Sequence, residues 1–275
     1  MFRLGTVDDP VELLTKTKTN MATLDIETMD SKELRLWNEP VVSYSFSVFS
    51  GSPAQFSCPT FGAVTESLEQ EDTLLSELLS FLRACHKHGI TLCGHNVNYS
   101  HKYLPTIAAS KKEGFDLPKI TKRASAYSLK TDFVPSIKTF DTMDLAVRYY
   151  DHSQHNHVSP YGEKQRWLGL PTLESDLNII RPEGSKKLGS QVRDIYLSYL
   201  ATGDQSKLKE IMLYNCVDSI SGSIVARIFN LCVNECGRCN GLVPPRDRCN
   251  RIPAKFRIGR MNEWRQLCRC QLVKD

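Results

Sequence analysis

No unbroken apolar run in this chain is long enough to cross a bilayer, so no helical membrane span is expected. The opening residues Met1-Phe2-Arg3-Leu4-Gly5 lack the apolar core of a secretory signal, and an intracellular setting, cytoplasmic, nucleoid or nuclear, is the expectation. In such a setting the ten cysteines are read as reduced thiols or metal ligands rather than disulfides. No paired Cys–His or Ser–His motif is present, which argues against chemistry through a covalent intermediate. There is also no internal repeat. The 275 residues, 41% hydrophobic and 24% charged, match an ordinary globular protein with one large domain or one domain plus an appendage.

The net charge of +4 is unevenly spread. From Arg238 onward ten basic residues face three acidic ones, a balance of +7, which leaves −3 for the rest. An acidic body suits cations, and an Arg-rich tail suits phosphate; the bland alternative for the tail is a solvated extension.

One short stretch organises the body. In Ala22-Thr23-Leu24-Asp25-Ile26-Glu27-Thr28, apolar and acidic residues alternate, so a strand would place both carboxylates on one face and both aliphatic residues on the other. Like charges this close repel unless a cation lies between them, and hard divalent ions such as Mg²⁺ take carboxylate and phosphate oxygens. The alternative is a strand with a solvated acidic face.

Residues 1–20 read as a polar lead-in, followed by a strand near 21–26 and a second over Val41–Ser50. A third is expected over Ala54–Thr60. Asp72 is a plausible N-cap for a helix whose leucines 74, 75, 78, 79 and 82 recur at helical spacing until Gly89. A buried strand over Ile90–Gly94 leads through His95-Asn96 into an expected helix carrying Tyr99, Tyr103 and Leu104. The basic stretch 106–136 looks irregular; a short strand over Ile137–Asp141 and a helix from Thr142 to Tyr149 follow. His152, His155 and His157 fall in a polar loop without acidic or Cys partners at ligand spacing, so a solvated loop is the expectation. Helical periodicity returns over 190–201, stops at Gly203-Asp204, and resumes from Leu208 to Leu231.

That last helix contains Tyr214-Asn215-Cys216-Val217-Asp218. Tyr214 and Asp218 are four apart and share a face. A third carboxylate with a phenol one turn away suits a two-metal phosphoryl-transfer site: Asp218 would join Asp25 and Glu27, and Tyr214 would orient the attacking water. The competing readings are a core aromatic and a solvated helix charge.

These segments together resemble the DEDD exonucleases with a tyrosine in the third motif, of the DnaQ-like, RNase H-like superfamily, which includes the proofreading 3′–5′ exonuclease domains of family-B DNA polymerases. Leu24-Asp25-Ile26-Glu27-Thr28 is similar to their first motif. Gly94-His95-Asn96-Val97-Asn98-Tyr99-Ser100-His101-Lys102-Tyr103-Leu104 resembles the second, Phe140–Ala146 the segment after it, and Tyr199–Asp204 with Tyr214–Asp218 the third. The likeness spans roughly residues 20–230 in the correct order. It implies an RNase H-like α/β fold, a mixed five-stranded sheet flanked by helices, with Mg²⁺ or Mn²⁺, two ions in such a family, at Asp25, Glu27 and Asp218. It implies Asp25, Glu27, Tyr214 and Asp218 as the catalytic set and Thr28, Asn96 and Ser100 as substrate-binding. It also implies nucleic-acid substrates, above all single-stranded DNA 3′ ends, with RNA open, and a polymerase or other replication or repair partner.

The second motif departs from the family, where an aromatic is followed by Asp; here Tyr99 is followed by Ser100. Three readings follow: Ser100 holds a water and activity is reduced, a neighbour (Asp141, Asp144 or His101) substitutes, or the fold is a degenerate nuclease that only binds nucleic acid. For Asn96, helix capping is favoured over a substrate contact, and His95 is expected to pack beside the strand end.

The division expected is an RNase H-like domain over 1–232 and a small basic Cys-containing tail over 233–275. Cys236-Gly237-Arg238-Cys239 has knuckle spacing, and Cys268 and Cys270, with Cys249 and Cys232 as further candidates, could complete a structural Zn²⁺ site. The alternative is reduced thiols. With zinc, Phe256 or Trp264 could stack on a base. Beyond Asp218 no polymerase motif is found. The leading reading is a metal-dependent 3′–5′ exonuclease; the rivals are a nucleic-acid-binding module and a polymerase accessory subunit.

Overall fold

A computed structural model describes residues 1–5, 11, 14, 20–29, 38–52, 55–100, 102, 114–149, 169–182, 191–230 and 256–257. Its centre is strand β2 (Met21–Thr28), preceded by β1 (Phe2–Gly5) and followed by β3 (Val41–Ser47), β4 (Ser50–Ser52), β5 (Gln55–Ser57) and β6 (Thr60–Val64). Helix α1 (Glu71–Lys87) crosses to β7 (Thr91–Gly94), and α2 (Asp116–Ala126) leads to β8 (Thr139–Asp141) and α3 (Thr142–Tyr149). Then come α4 (Leu170–Asp176), β9 (Ile179–Ile180), α5 (Val192–Thr202), the long α6 (Gln205–Asn230) and β10 (Phe256–Arg257).

The main sheet is mixed and six-stranded, in the order β1-β6-β3-β2-β7-β8. Each neighbouring pair among the first four strands is antiparallel, and β7 and β8 run parallel to β2. A five-stranded sheet was expected. The sixth strand is β1, inside the supposed lead-in: Phe2 and Leu4 alternate with exposed Arg3 and bury against the sheet, a period-2 signal only two residues deep. The third strand also lies later than expected. Gln55–Ser57 pairs with β4 as a separate hairpin, and the strand joining the sheet is Thr60–Val64, buried throughout.

Two hydrophobic cores sandwich the sheet. On one side Leu24, Ile26, Tyr44 and Phe46 pack against α1, whose Leu74, Leu75, Leu78, Leu79, Phe81 and Leu82 form the expected apolar stripe, and against Leu117, Ile120 and Ala124 of α2. The residue before α1 is Gln70, and Asp72 lies in its first turn, so Asp72 is not the N-cap. Helix α2 falls in the stretch expected to be irregular. Its apolar residues are few but lie on one face, and Lys119 on that face is buried by pairing with Glu39 at 3.2 Å. Conversely, residues 95–100, Tyr99 included, are irregular rather than the start of a helix, and Tyr103 and Leu104 lie outside the described residues.

On the other side α6 lies across β2, β3 and β6 and is buried on most of its circumference. Its contact face is small and polar. Ser45 Oγ donates to the Asn215 carbonyl at 2.8 Å, and Ser223 Oγ donates to Thr23 Oγ1 at 2.8 Å. A Cβ on Gly222 would come within 2.8 Å of Thr23 Cγ2. Small residues on facing surfaces let helix and sheet approach closely, and that approach sets the position of Asp218.

Candidate metal centre

Strand β2 meets the alternation read from sequence. Leu24 and Ile26 are buried in the α1-side core, and Asp25 and Glu27 face α6, half-buried. A register irregularity falls between Glu27 and Thr28, where Thr28 pairs with Val41; such a bulge re-aims side chains at a strand end. From α6, Asp218 reaches the same place. One carboxylate oxygen each from Asp25, Glu27 and Asp218 lie within 4.8 Å of one another. Asn215 Nδ2 donates to Asp25 Oδ2 at 3.0 Å, tying helix to strand.

The electrostatics follow from this crowding. Burial, then the charges of Asp218, Glu27 and Asp116, hold the Asp25 carboxyl well above its ordinary value. Burial, Asp218 and Asp116 do the same to Glu27, against an opposing hydrogen bond from Asn215. Asp218 is pushed up to about 6 by burial, with Arg181 opposing and Glu174 reinforcing. Tyr214, half-buried and hydrogen-bonded to Asp218, is raised far above the usual phenol by burial and by Asp218, Glu27 and Asp25. It therefore stays protonated at neutral pH. A set of oxygen donors that repel one another in a partly dry pocket fits a hard divalent cation such as Mg²⁺ or Mn²⁺.

Several residues at this site had not been singled out in the sequence. Asp116, the first residue of α2, is buried, and its charge bears on both Asp25 and Glu27. Burial and then Asp141 raise its own carboxyl well above normal. It is held by a closed neck of backbone. The Asn96 carbonyl accepts from Phe115 N (2.8 Å) and Asp116 N (3.3 Å), and the Val97 carbonyl accepts from Leu117 N (3.4 Å). A Cβ on Gly114 would sit 2.0 Å from the Asn98 carbonyl oxygen. So the chain departs after Asn98, returns at Gly114, and delivers Phe115-Asp116 to the end of β7. The signal was in the sequence as an aromatic–Asp pair, 16 residues beyond Ser100. Arg181, which follows β9, ion-pairs with Asp218. No local pattern marks it.

The other expected residues separate. Ser100 is exposed at the end of the irregular 95–100 stretch, beside exposed Tyr99. Asp141 and Asp144, the neighbours considered as substitutes, both accept from backbone amides. Asp141 accepts from Asn96 N, Asn98 N and Met143 N at 2.8–3.0 Å, and Asp144 accepts from Lys102 N at 2.9 Å. Asn96 does not cap a following helix; it sits at φ 83° and its carbonyl closes the neck. His95 packs beside the strand end as expected, its Nδ1 3.0 Å from Thr142 Oγ1. His101, the histidines at 152, 155 and 157, Trp264, and the zinc candidates Cys232, Cys236, Cys239, Cys249, Cys268 and Cys270 lie outside the described residues. Within the tail Phe256–Arg257 is described, and it pairs in parallel with β9.

Because β2, β7 and β8 run parallel, their carboxyl ends gather at one edge, the usual place for a ligand in such sheets. A family model described as RNase_H superfamily matches residues 96–229, a span that holds Asp116, Arg181, Tyr214 and Asp218. No curated protein matches the chain. The match and the six-stranded sheet flanked by helices together support an RNase H-like fold of the nuclease type. Among the described residues no helix is long and apolar enough to cross a membrane.

Proposed function

We propose that this protein is a divalent-metal-dependent 3′–5′ exonuclease acting on single-stranded DNA ends. The observation that carries the reading is the meeting of Asp25, Glu27 and Asp218 within 4.8 Å, from segments nearly two hundred residues apart. Asp116 serves as the fourth carboxylate in place of Ser100. With Asp116 in that role, the serine no longer argues for a degenerate, merely binding fold.

Asp25, Glu27 and Asp218 would hold the ion, with Asp116 beside the first two. When bound, Mg²⁺ or Mn²⁺ supplies Lewis-acid stabilisation of the charge that builds on the phosphate oxygens. Asn215 keeps Asp25 in place. The Tyr214 phenol, neutral at working pH, orients water by hydrogen bonding and does not take its proton. Thr28 and Asn96, at the same sheet edge, contact the terminal nucleotide.

The test uses a single strand labelled at its 5′ end, incubated with the full chain and Mn²⁺. Stepwise shortening from the 3′ end, abolished by EDTA and by Asp218→Ala, is the expected result. An intact strand at large enzyme excess would refute the reading and leave nucleic-acid binding as the activity to measure. Shortening of RNA in place of DNA would change the substrate and keep the mechanism.

A further inference from the structure

Arg181 is a cation built into the middle of an acidic site. Its side chain is 7% exposed, that of Glu174 is 5% exposed and that of Asp218 is 11%. Glu174, on α4, takes it in a two-pronged grip: Nε to Oε2 at 2.6 Å and Nη2 to Oε1 at 2.7 Å. The same Nη2 ion-pairs with Asp218 Oδ1. The guanidinium carbon stands 5.8 Å from the Tyr214 ring centroid. One planar group thus touches both α6 residues of the candidate catalytic set, and it is anchored from a different helix. A buried two-pronged pair is rigid, since neither partner can rotate without losing a charged hydrogen bond.

We infer that Arg181, locked by Glu174, is a positioning residue: its fork fixes the Asp218 carboxylate and the Tyr214 ring, and its fixed charge limits how tightly the carboxylates grip a divalent ion. This rests on the metal-dependent reading above. The two effects separate by substitution. Arg181→Gln removes the charge, so the carboxylates hold a cation more strongly even as Asp218 and Tyr214 lose their alignment. Arg181→Lys keeps the charge and loses the fork.

The experiment measures Mn²⁺ binding to the substrate-free protein by titration calorimetry, alongside kcat and KM for nucleotide release. Circular dichroism of each variant checks its folding. For Arg181→Gln, Mn²⁺ should bind at least about 5-fold more tightly, while kcat falls by about 30-fold or more. A residue that only holds the fold together would weaken both. For Arg181→Lys, Mn²⁺ affinity should stay within about 3-fold of wild type while kcat falls by about 10-fold. Unchanged or weaker Mn²⁺ binding in Arg181→Gln overturns the inference. So does wild-type kcat in Arg181→Lys, which decides the matter alone should the glutamine variant not fold. If the wild-type protein binds no Mn²⁺, the metal-dependent reading falls and this inference with it. Normal wild-type binding with a failed Arg181 series removes only the inference.

Discussion

Replacing Asp25 by Asn should make the metal-free protein more stable while destroying its response to metal. Two unit charges 4.8 Å apart, the upper bound on the oxygen separations in the cluster, repel by about 3.5 kcal/mol at an effective dielectric near 20. Asp25 faces two such neighbours, but burial and mutual repulsion push all three carboxyls towards their neutral forms, so the relief is smaller. A gain of about 2 kcal/mol is expected, equivalent to about 4–8 °C in Tm for a chain of this size. The hydrogen bond from Asn215 survives, because an amide oxygen accepts as a carboxylate does. Scanning calorimetry in EDTA at pH 8, and again in Mn²⁺, measures both effects. The pH dependence carries a defined sign. Carboxyls raised in the folded state contribute stability below their unfolded value of about 4, and that contribution is lost as pH rises through their folded values, about 6 for Asp218. Wild-type protein in EDTA should therefore lose stability from about pH 4 upward, and Asp25→Asn should lose less. Mn²⁺ should raise the wild-type Tm and barely move that of the variant. A variant less stable than wild type in EDTA, or one stabilised equally by Mn²⁺, would refute the account of Asp25 as one member of a self-repelling cation site.

Asp116→Asn should lower nucleotide release by about 100-fold or more, whereas Ser100→Ala should stay within about 3-fold of wild type; the reverse order would return the fourth position to Ser100. Tyr214→Phe should reduce kcat by about 10- to 100-fold with Mn²⁺ affinity unchanged by calorimetry, as befits a group that orients water without holding the ion. Lys119→Met removes a buried ion-pair partner of Glu39 at 3.2 Å and should cost about 1.5–3 kcal/mol in urea unfolding, while a loss under about 0.5 kcal/mol would mean the pair behaves as if solvated.

Much of this was legible in the chain because it depends on short-range periodicity. The alternation of Leu24, Asp25, Ile26 and Glu27 specifies opposite faces of a strand whatever surrounds it. The four-residue spacing of Tyr214 and Asp218 specifies one face of a helix, and α3 matched its expected span because its signal is local. Sequence reading failed where distance along the chain misleads. Tyr99-Ser100 continues the second motif by adjacency, but backbone hydrogen bonds between Asn96–Val97 and Phe115–Leu117 bring Phe115-Asp116 to the same place from 15 or more residues further along. β1 and α2 were missed because their apolar residues are too few to form a pattern until a partner covers them. By itself, then, the sequence determined which side chains share a face, since backbone geometry repeats every two or 3.6 residues. Only the tertiary structure decided that buried Asp116 lies near enough for its charge to bear on Asp25 and Glu27 and that Arg181 is gripped between Glu174 and Asp218, because such contacts arise from packing between segments and leave no periodic trace in any one of them.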